Sequence, residues 1–362
     1  MFEDVYRGRR VLVTGHTGFK GSWLSLWLLH LGAEVGGFSV DVPSTPANFD
    51  VLELKKRIRH YQGDVRNREM LAAAIDDFRP DIVFHLAAQS LVRKSYADPA
   101  GTFETNAMGT LNLLECLRTR PWVQVAVLIT SDKAYRNVEW CWGYREDDAV
   151  GGKDPYSGSK GAAELVAYSY YQSFFKDGDM RMATTRAGNV IGGGDWALDR
   201  IVPDCMRAWS DGQAVTVRNP NATRPWQHVL EPLSGYLSLG RHLWKRSRGT
   251  IGESFNFGPD SSVDQTVGEL LEAMAQRWPG RRWETPENVF GAHEANLLKL
   301  CCDKALHFLG WHAVLRFNET VEFTVDWYQT YYGREQDMFK FSLAQIERYA
   351  SLAQQRGLAW TE

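Results

Sequence analysis

The sequence predicts an α/β protein built on a doubly wound parallel sheet with a smaller C-terminal α/β lobe, on three observations. Short apolar runs alternate with longer helical patterns through the first half of the chain, a glycine triplet follows the first of those runs, and the regular alternation stops near residue 190. Alternation of this kind means parallel strands joined by crossover helices on both faces. At 362 residues the chain can form one large domain or two moderate ones.

The expected strands, in order, are VLVT at 11–14, EVGGFSV at 34–40, a third run ending before Gly63, DIVFHLA at 81–87, VQVAVLIT at 123–130 and MATTRAG at 182–188. Helices are expected from near Lys20, over 98–118, and later over about 266–277, 318–332 and the last twenty residues. After residue 190 a glycine cluster at 192–196 and prolines at 203, 220, 225 and 232 break the pattern. Such a region suits a lobe over the carboxyl edge of the sheet, where ligands of open α/β folds collect. The expected division is a dinucleotide-binding domain over 1–188 and a mainly substrate-binding lobe over 189–362, with some chain returning to the first domain.

Composition narrows the partners. The chain is 44% apolar and 23% charged with a formal net charge of −3, which implies no polyanionic partner, so nucleic acid is not an expected ligand. The charged start MFEDVYRGRR resembles neither a signal nor a transit peptide, and the apolar stretch Trp23–Leu31 is too short to span a bilayer. A soluble, cytoplasmic protein with no membrane association is the expectation. Cysteines 116, 141, 205, 301 and 302 show no CxxC pairing, so reduced thiols are expected and no metal site.

The stretch GHTGFKGSW places Gly15, Gly18 and Gly21 where the first strand turns into a helix. Glycine there serves a tight turn, a close approach of backbone to a pyrophosphate, and close helix–strand packing, which is the make of a Rossmann-type dinucleotide site. The N-terminus of the helix that starts near Lys20 offers free N–H groups to the anion, with Phe19 in the cofactor site, and His16 and Lys20 would place donor or positive groups beside it. Asp41 stands twenty residues beyond Gly21, where an acidic residue is expected on the ribose, or it is a solvated turn residue. With no arginine near it, NAD is favoured over NADP. Asp64, followed by Val65, meets the adenine edge or simply closes a turn.

DPYSGSK puts Tyr156 and Lys160 four residues apart on one helix face. An ammonium beside a phenol lowers its pKa, so the tyrosinate can take a proton from an alcohol as a hydride leaves. Outside a nicotinamide site YxxxK is a chance surface pair; after a strand that ends in Thr130 and Ser131, inside a dinucleotide-binding sheet, it points to dehydrogenase chemistry.

Together, TGHTGFKG at 14–21, HLAAQS at 85–90, Asn106, the serine of ITSDK and YxxxK resemble the extended short-chain dehydrogenase/reductase family over nearly the whole chain. The resemblance implies that Ser131, Tyr156 and Lys160 are catalytic, that Ala87, Ala88, Gln89, Asn106 and Thr130 line the NAD pocket, and that the substrate is a nucleotide sugar. Asp132 and Lys133 follow Ser131 directly; the family's sugar-nucleotide 4,6-dehydratases carry Thr-Asp-Glu there, with the Asp as the acid for the departing hydroxyl and the Glu as the base for the carbon 5 proton. GHTGFKG, SDKAY, RAGNVIGGGDWALDRIVPD and RPWQHVLEPL resemble the branch that acts on CDP-glucose and shares the lysine. In that branch a sugar is oxidised at carbon 4, loses water across carbons 5 and 6, and is reduced at carbon 6, for deoxysugars of surface polysaccharide.

Lys133 is then either the base, which requires a neutral amine, or a residue that orients Asp132 or holds substrate. On the substrate side the resemblance implies Arg224 for the pyrophosphate, with Ser90, Asn189, Arg200, Val217, Arg218, Asn256 and His293 around the nucleotide sugar; His228 and Trp226 either join them or only pack. An epimerase on the same fold needs no acid–base pair after the serine, and a non-catalytic NAD sensor usually lacks the tyrosine or lysine. The family often dimerises through the YxxxK helix, so a homodimer or homotetramer is expected, although burial under the C-terminal lobe explains the apolar pattern at 161–175 as well.

Overall fold

The computed structural model describes residues 1–217, 219–260, 263–278, 280–285, 298–334 and 336–362. Seven strands form one sheet: β1 (Arg10–Thr14), β2 (Glu34–Ser39), β3 (Arg59–Gln62), β4 (Ile82–His85), β5 (Val125–Ile129), β6 (Arg181–Ala187) and β7 (Ser254–Phe257). Every pairing is parallel and the spatial order is β3-β2-β1-β4-β5-β6-β7. The strand order reverses between β1 and β4, and the crevice beyond their carboxyl ends is the place where such sheets bind ligands. The seventh strand, a run of four residues in SFNF, was not among the expected ones.

The helices that matter to the site are α1 (Phe19–His30), α2 (Arg68–Phe78), α3 (Gly109–Arg118), α4 (Pro155–Tyr170), α5 (Ile201–Ser210), α6 (Leu230–Trp244), α7 (Val267–Arg277), α8 (Phe317–Gly333) and α9 (Met338–Gln355). Alternate strand residues serve the two faces. Val11, Val13, Phe84 and Val127 pack into one core with Trp23 and Trp27 of α1 and Leu230, Leu233 and Leu237 of α6. Leu12, Val83, Ala126 and Leu128 pack into the other with Leu71 and Ile75 of α2 and Leu113 and Leu117 of α3. Central strands buried on both faces explain the continuous apolar runs VLV and VAVLI.

The expected helix over 98–118 is three pieces: Pro99–Phe103, a π-helical turn over Glu104–Met108, and α3. The last twenty residues close the molecule. Trp360 stacks on Phe2 at 5.1 Å and meets Trp27 at 6.0 Å, while the Glu3 N–H donates to the Glu362 carbonyl at 2.9 Å. The chain ends therefore hold each other against α1.

Glu231, in the first turn of α6, is fully buried and accepts from the backbone of Val314 at 2.9 Å and Leu315 at 2.5 Å and from the Tyr349 hydroxyl at 2.8 Å. One carboxyl thus joins α6 to the segment before α8 and to α9. Burial pushes it up to about 7 from an ordinary 4.5. The unfolded chain then releases this proton first, so the contribution of Glu231 to stability falls as pH rises from 4.5 to 7, by up to roughly 3 kcal/mol. Thermal melts across that window should show the native protein losing stability relative to Glu231→Gln, which has no proton to lose; parallel curves would contradict this.

Candidate active site

The glycine turn is built by close backbone contacts. Gly15 has φ +75°, and a Cβ there would lie 2.7 Å from the Ala87 nitrogen, where β4 leaves the sheet. A Cβ on Gly21 would lie 2.1 Å from the Gly15 carbonyl oxygen. Gly18 differs: its φ is ordinary and a Cβ would meet nothing nearer than 3.4 Å. The protein's own packing does not require glycine at 18. Gly18 also caps α1 without a side-chain bond, leaving the first-turn N–H groups for an anion. These features fit the pyrophosphate of a dinucleotide.

The His16 side chain does not face that anion position. His16 is fully buried, bonded through Nε2 to His60 at 2.8 Å and through Nδ1 to Ser39 at 3.0 Å, and it fills the space a Cβ on Gly37 would need. Burial and the neighbouring His60 push it down to about 3, so it is neutral. The expectation of a donor group beside the diphosphate is corrected: at 16 only backbone can serve. Lys20 Nζ stands 6.0 Å from the ring centroid of Tyr236 on α6, and burial pushes the amine down to about 8. Asp41 is exposed, with its carbonyl accepting from Thr17 Oγ1 at 2.6 Å. The Asp64 carboxylate is held by Arg66 at 2.7 and 2.9 Å, the turn reading, and Val65 is buried beside Gly109.

A polar chain fixes the β4 exit. Thr14 Oγ1 bonds His85 Nδ1 at 2.7 Å, and His85 Nε2 bonds Thr110 Oγ1 at 3.2 Å. Asn106, in the π-helical turn, accepts from the Gln89 N–H at 2.8 Å and donates to the Gln89 carbonyl at 3.0 Å and to Ser159 Oγ at 2.9 Å. Asn106 thereby holds the loop of Ala87, Ala88, Gln89 and the exposed Ser90 against α4 and spends its own amide doing so. His85 was missed by the sequence reading, although it stands in HLAAQS.

Tyr156 and Lys160 lie one turn apart near the start of α4, and both are buried. Burial pushes the Tyr156 phenol up to about 12, opposed by the nearby Ser131 hydroxyl and the Arg200 guanidinium. Lys160 Nζ donates to the Ile129 carbonyl at 3.5 Å, and burial pushes the amine down to about 8. Ser131 also donates to Asp132 Oδ1 at 3.0 Å and accepts from the Lys133 N–H at 3.2 Å. Burial raises the Asp132 carboxyl against the pull of Lys133, Ser131 and Lys20. The Oδ2 oxygen faces Gly188, where a Cβ would come within 3.0 Å of it. Lys133 is half-buried in the short turn after β5.

Gly188 and Pro225 line a pocket completed by Gln227, Gly258, Lys299 and Leu300. Arg200, bonded to Asp195 at 2.8 Å, stands at the start of α5 with its charge on Tyr156. Arg224 is half-buried beside Pro225, its Nη1 on the Thr223 carbonyl at 2.8 Å. Asn189 gives its carbonyl to the Gln227 N–H at 3.3 Å, and Val217 is buried with its N–H on the Glu284 carbonyl at 2.8 Å. Arg218 and His293 lie outside the described residues.

Two expected side chains are committed elsewhere. Asn256 is fully buried, accepting from the Tyr135 hydroxyl at 2.8 Å and donating to the Tyr144 and Cys301 carbonyls at 2.9 and 3.1 Å, which leaves it nothing for substrate. Thr130 donates to Glu164, a buried carboxylate also held by Arg186 at 2.9 and 3.0 Å. The Glu164–Arg186 pair braces α4 against β6 and was invisible in the sequence reading. His228 is packed against Trp23 and Phe323, and Trp226 bonds the Gln265 carbonyl at 3.0 Å.

Comparison with known proteins agrees with this geometry. The family model described as GDP-mannose 4,6 dehydratase matches residues 12–324. A CDP-glucose 4,6-dehydratase of Salmonella typhimurium is 45% identical over 354 residues, covering 96% of this chain and 98% of that one. Among solved structures, an epimerase of Methanothermobacter thermautotrophicus superposes with a TM-score of 0.77 at 23% identity, covering 92% of this chain and 95% of that one. A UDP-glucose 4-epimerase of Thermus thermophilus in complex with NAD superposes with a TM-score of 0.74 at 26% identity, covering 88% and 99%.

Gly18→Ala should keep the native melting temperature and weaken dinucleotide retention roughly tenfold or more, about 1.4 kcal/mol. Gly21→Ala should destabilise the fold itself by roughly 2 kcal/mol, because the Gly15 carbonyl has to move. Melting curves with cofactor titration separate the two, and equal destabilisation by both would contradict the assignment of Gly18 to a ligand.

Proposed function

The chain belongs to the GDP-mannose 4,6 dehydratase family, and from that premise we propose that it converts CDP-D-glucose to CDP-4-keto-6-deoxy-D-glucose with NAD as a recycled cofactor. The observation that carries this reading is Asp132: a buried carboxyl that accepts from the Ser131 hydroxyl at 3.0 Å, pushed up by burial, with its Oδ2 facing Gly188. Interconversion at carbon 4 needs only Ser131, Tyr156 and Lys160. A proton donor beside them suits the departure of a hydroxyl.

Each residue then has a task. Ser131 orients the carbon 4 hydroxyl toward Tyr156, which takes its proton as the alcohol becomes a ketone. NAD, which the turn of Gly15, Gly18 and Gly21 would hold, would supply the acceptor for the carbon 4 hydrogen and the hydride source for carbon 6. The ketone acidifies carbon 5, whose proton passes to Lys133; the carbon 6–oxygen bond breaks, and Asp132 supplies the proton with which that hydroxyl leaves as water. A proton returns to carbon 5 as carbon 6 is reduced, so the sum is loss of one water. The alternative for Lys133, orienting Asp132, leaves the carbon 5 proton to another group.

Residues 1–188 would hold NAD through Gly15, Gly18 and Gly21, with residues 189–362 mainly holding the nucleotide sugar through Arg200 and Arg224. The seventh strand and α6 are the part of the later chain that returns to the sheet. The 45% identical relative supports cytosine as the base. A second copy of the chain is the expected partner: Phe103, Met108, Leu165, Tyr168 and Phe174 are exposed on α4, the π-helical turn Tyr171–Phe175 that follows it and the helical pieces before α3, apolar surface that a homodimer would cover. No described helix is long and apolar enough to cross a membrane; a cytoplasmic enzyme supplying deoxysugars for surface polysaccharide such as O-antigen is the setting that fits.

Incubation with CDP-glucose should give a ketosugar lighter by one water with no net reduction of nicotinamide, and UDP-, GDP- and dTDP-glucose should turn over at least roughly tenfold less well. Unchanged product mass would point to an epimerase. In heavy water, Lys133→Gln should lose exchange of the carbon 5 hydrogen; exchange at the native rate would remove Lys133 as the base.

A further inference from the structure

Gln227 is a buried polar side chain with half of its amide unused. It is 1% exposed and belongs to the two-residue strand Gln227–His228, which pairs with Val190–Ile191 just beyond the end of β6. Its amide nitrogen donates to the Phe257 carbonyl at 3.2 Å, at the carboxyl end of β7. Only the nitrogen of an amide can face a carbonyl oxygen, so this bond fixes which way the group is turned and holds Oε1 on the other side. Among the described residues that oxygen has no hydrogen-bond partner. Buried acceptors in folded proteins are met by donors as a rule, and an unmet one is costly. Gln227 lines the pocket with Gly188, Pro225, Gly258, Lys299 and Leu300. The Lys299 amine is held by Asp264 at 3.0 Å, and the other four bring no side-chain donor. The pocket edge also reaches the acid: a Cβ on Gly188 would lie 3.0 Å from Asp132 Oδ2 and 3.9 Å from Pro225 Cγ. A ligand that meets Asp132 across Gly188 therefore brings its donor to Gln227.

We propose that Gln227 determines specificity for the sugar's carbon 6 hydroxyl, its Oε1 accepting the hydrogen of that group. The proposal rests on the dehydratase reading above, in which Asp132 protonates the same oxygen. A hydroxyl donates one hydrogen bond and accepts others, so it can give its hydrogen to Gln227 while it accepts from Asp132. When the carbon 6–oxygen bond breaks, its electron pair stays on oxygen, which takes the Asp132 proton and leaves as water with its first hydrogen still on Oε1. A sugar that lacks this hydroxyl leaves Oε1 unmet and binds less well.

The test is binding to the enzyme loaded with NADH, which cannot oxidise the sugar, with CDP-glucose and CDP-6-deoxyglucose as probes. The native protein should hold CDP-glucose roughly tenfold or more tighter. Gln227→Met keeps the length and shape of the side chain without its carbonyl oxygen, and it should bind the two sugars equally, through loss of CDP-glucose affinity. CDP-6-deoxy-6-fluoroglucose, which fills the space of the hydroxyl but donates nothing, should bind the native protein as weakly as the deoxy sugar. Equal binding of all three by the native protein, or the native preference kept in Gln227→Met, would overturn the proposal. Weaker binding of CDP but not of UDP in Gln227→Met would place the amine of cytosine on Oε1 and overturn it as well. If Gln227→Met does not fold, Gln227→Leu is read by the same criterion, and the fluorinated sugar tests the native protein without any variant. Because binding needs no turnover, a product of unchanged mass would count against the dehydratase reading and not against the contact between Gln227 and the hydroxyl.

Discussion

The site depends on one close contact, the crossing of backbone at Gly15 against Leu86 and Ala87. No side chain fits where a Cβ would lie 2.7 Å from the Ala87 nitrogen, and Gly21 repeats the restriction one helical turn on, against the Gly15 carbonyl. Because β1 and β4 can separate there without a gap, α1 begins at once and presents unbonded N–H groups to the crevice. The same contact sets the course of the loop from Ala87 to Ser90. That loop is tied by Asn106 to Ser159, the residue before Lys160. A chain of hydrogen bonds therefore fixes the distance between the glycine turn and the helix of Tyr156 and Lys160, and the π-helical turn that carries Asn106 is the irregularity that lets it reach.

Charge is distributed unevenly around this frame. The whole chain is slightly acidic, but Lys20, Lys133, Lys160 and Arg200 all stand near Asp132 or Tyr156. A desolvated cluster of this sign is costly, as the depressed amines of Lys20 and Lys160 show. It suits a diphosphate-bearing substrate, whose negative charge offsets the repulsion on binding. The buried Glu164–Arg186 pair lies behind α4 and makes no net contribution to that charge; it holds α4 to β6, with Thr130 and Thr184 completing the hydrogen bonds of the carboxylate. Breaking such a pair leaves an uncompensated buried charge, so its role is to keep Tyr156 in place.

What the sequence disclosed follows physical range. The glycine spacing, the one-turn spacing of Tyr156 and Lys160 and the adjacency of Ser131, Asp132 and Lys133 are local, and each was readable because backbone geometry alone gives it meaning. Burial at a distance was not readable. His16 looked like an anion ligand because its loop is one, but His60, 44 residues away, and Phe49 enclose it. Asn256 looked available because its neighbours Tyr135, Tyr144 and Cys301 come from three separate segments. The strand Ser254–Phe257 is too short to show a period, and it is placed only by its pairing with β6. The role of the last residues was also closed to sequence reading, since Trp360 acts through Phe2 at the opposite end of the chain.

The central claim is that Asp132 is the acid for the departing hydroxyl in a site whose oxidation chemistry works without it. Asp132→Asn with CDP-glucose in heavy water tests this most directly, by mass and hydrogen content of the recovered sugar. The account predicts CDP-glucose that keeps its oxygen at carbon 6 yet gains deuterium at carbon 5, because oxidation and enolisation continue while water loss stops. Dehydration at the native rate would contradict it.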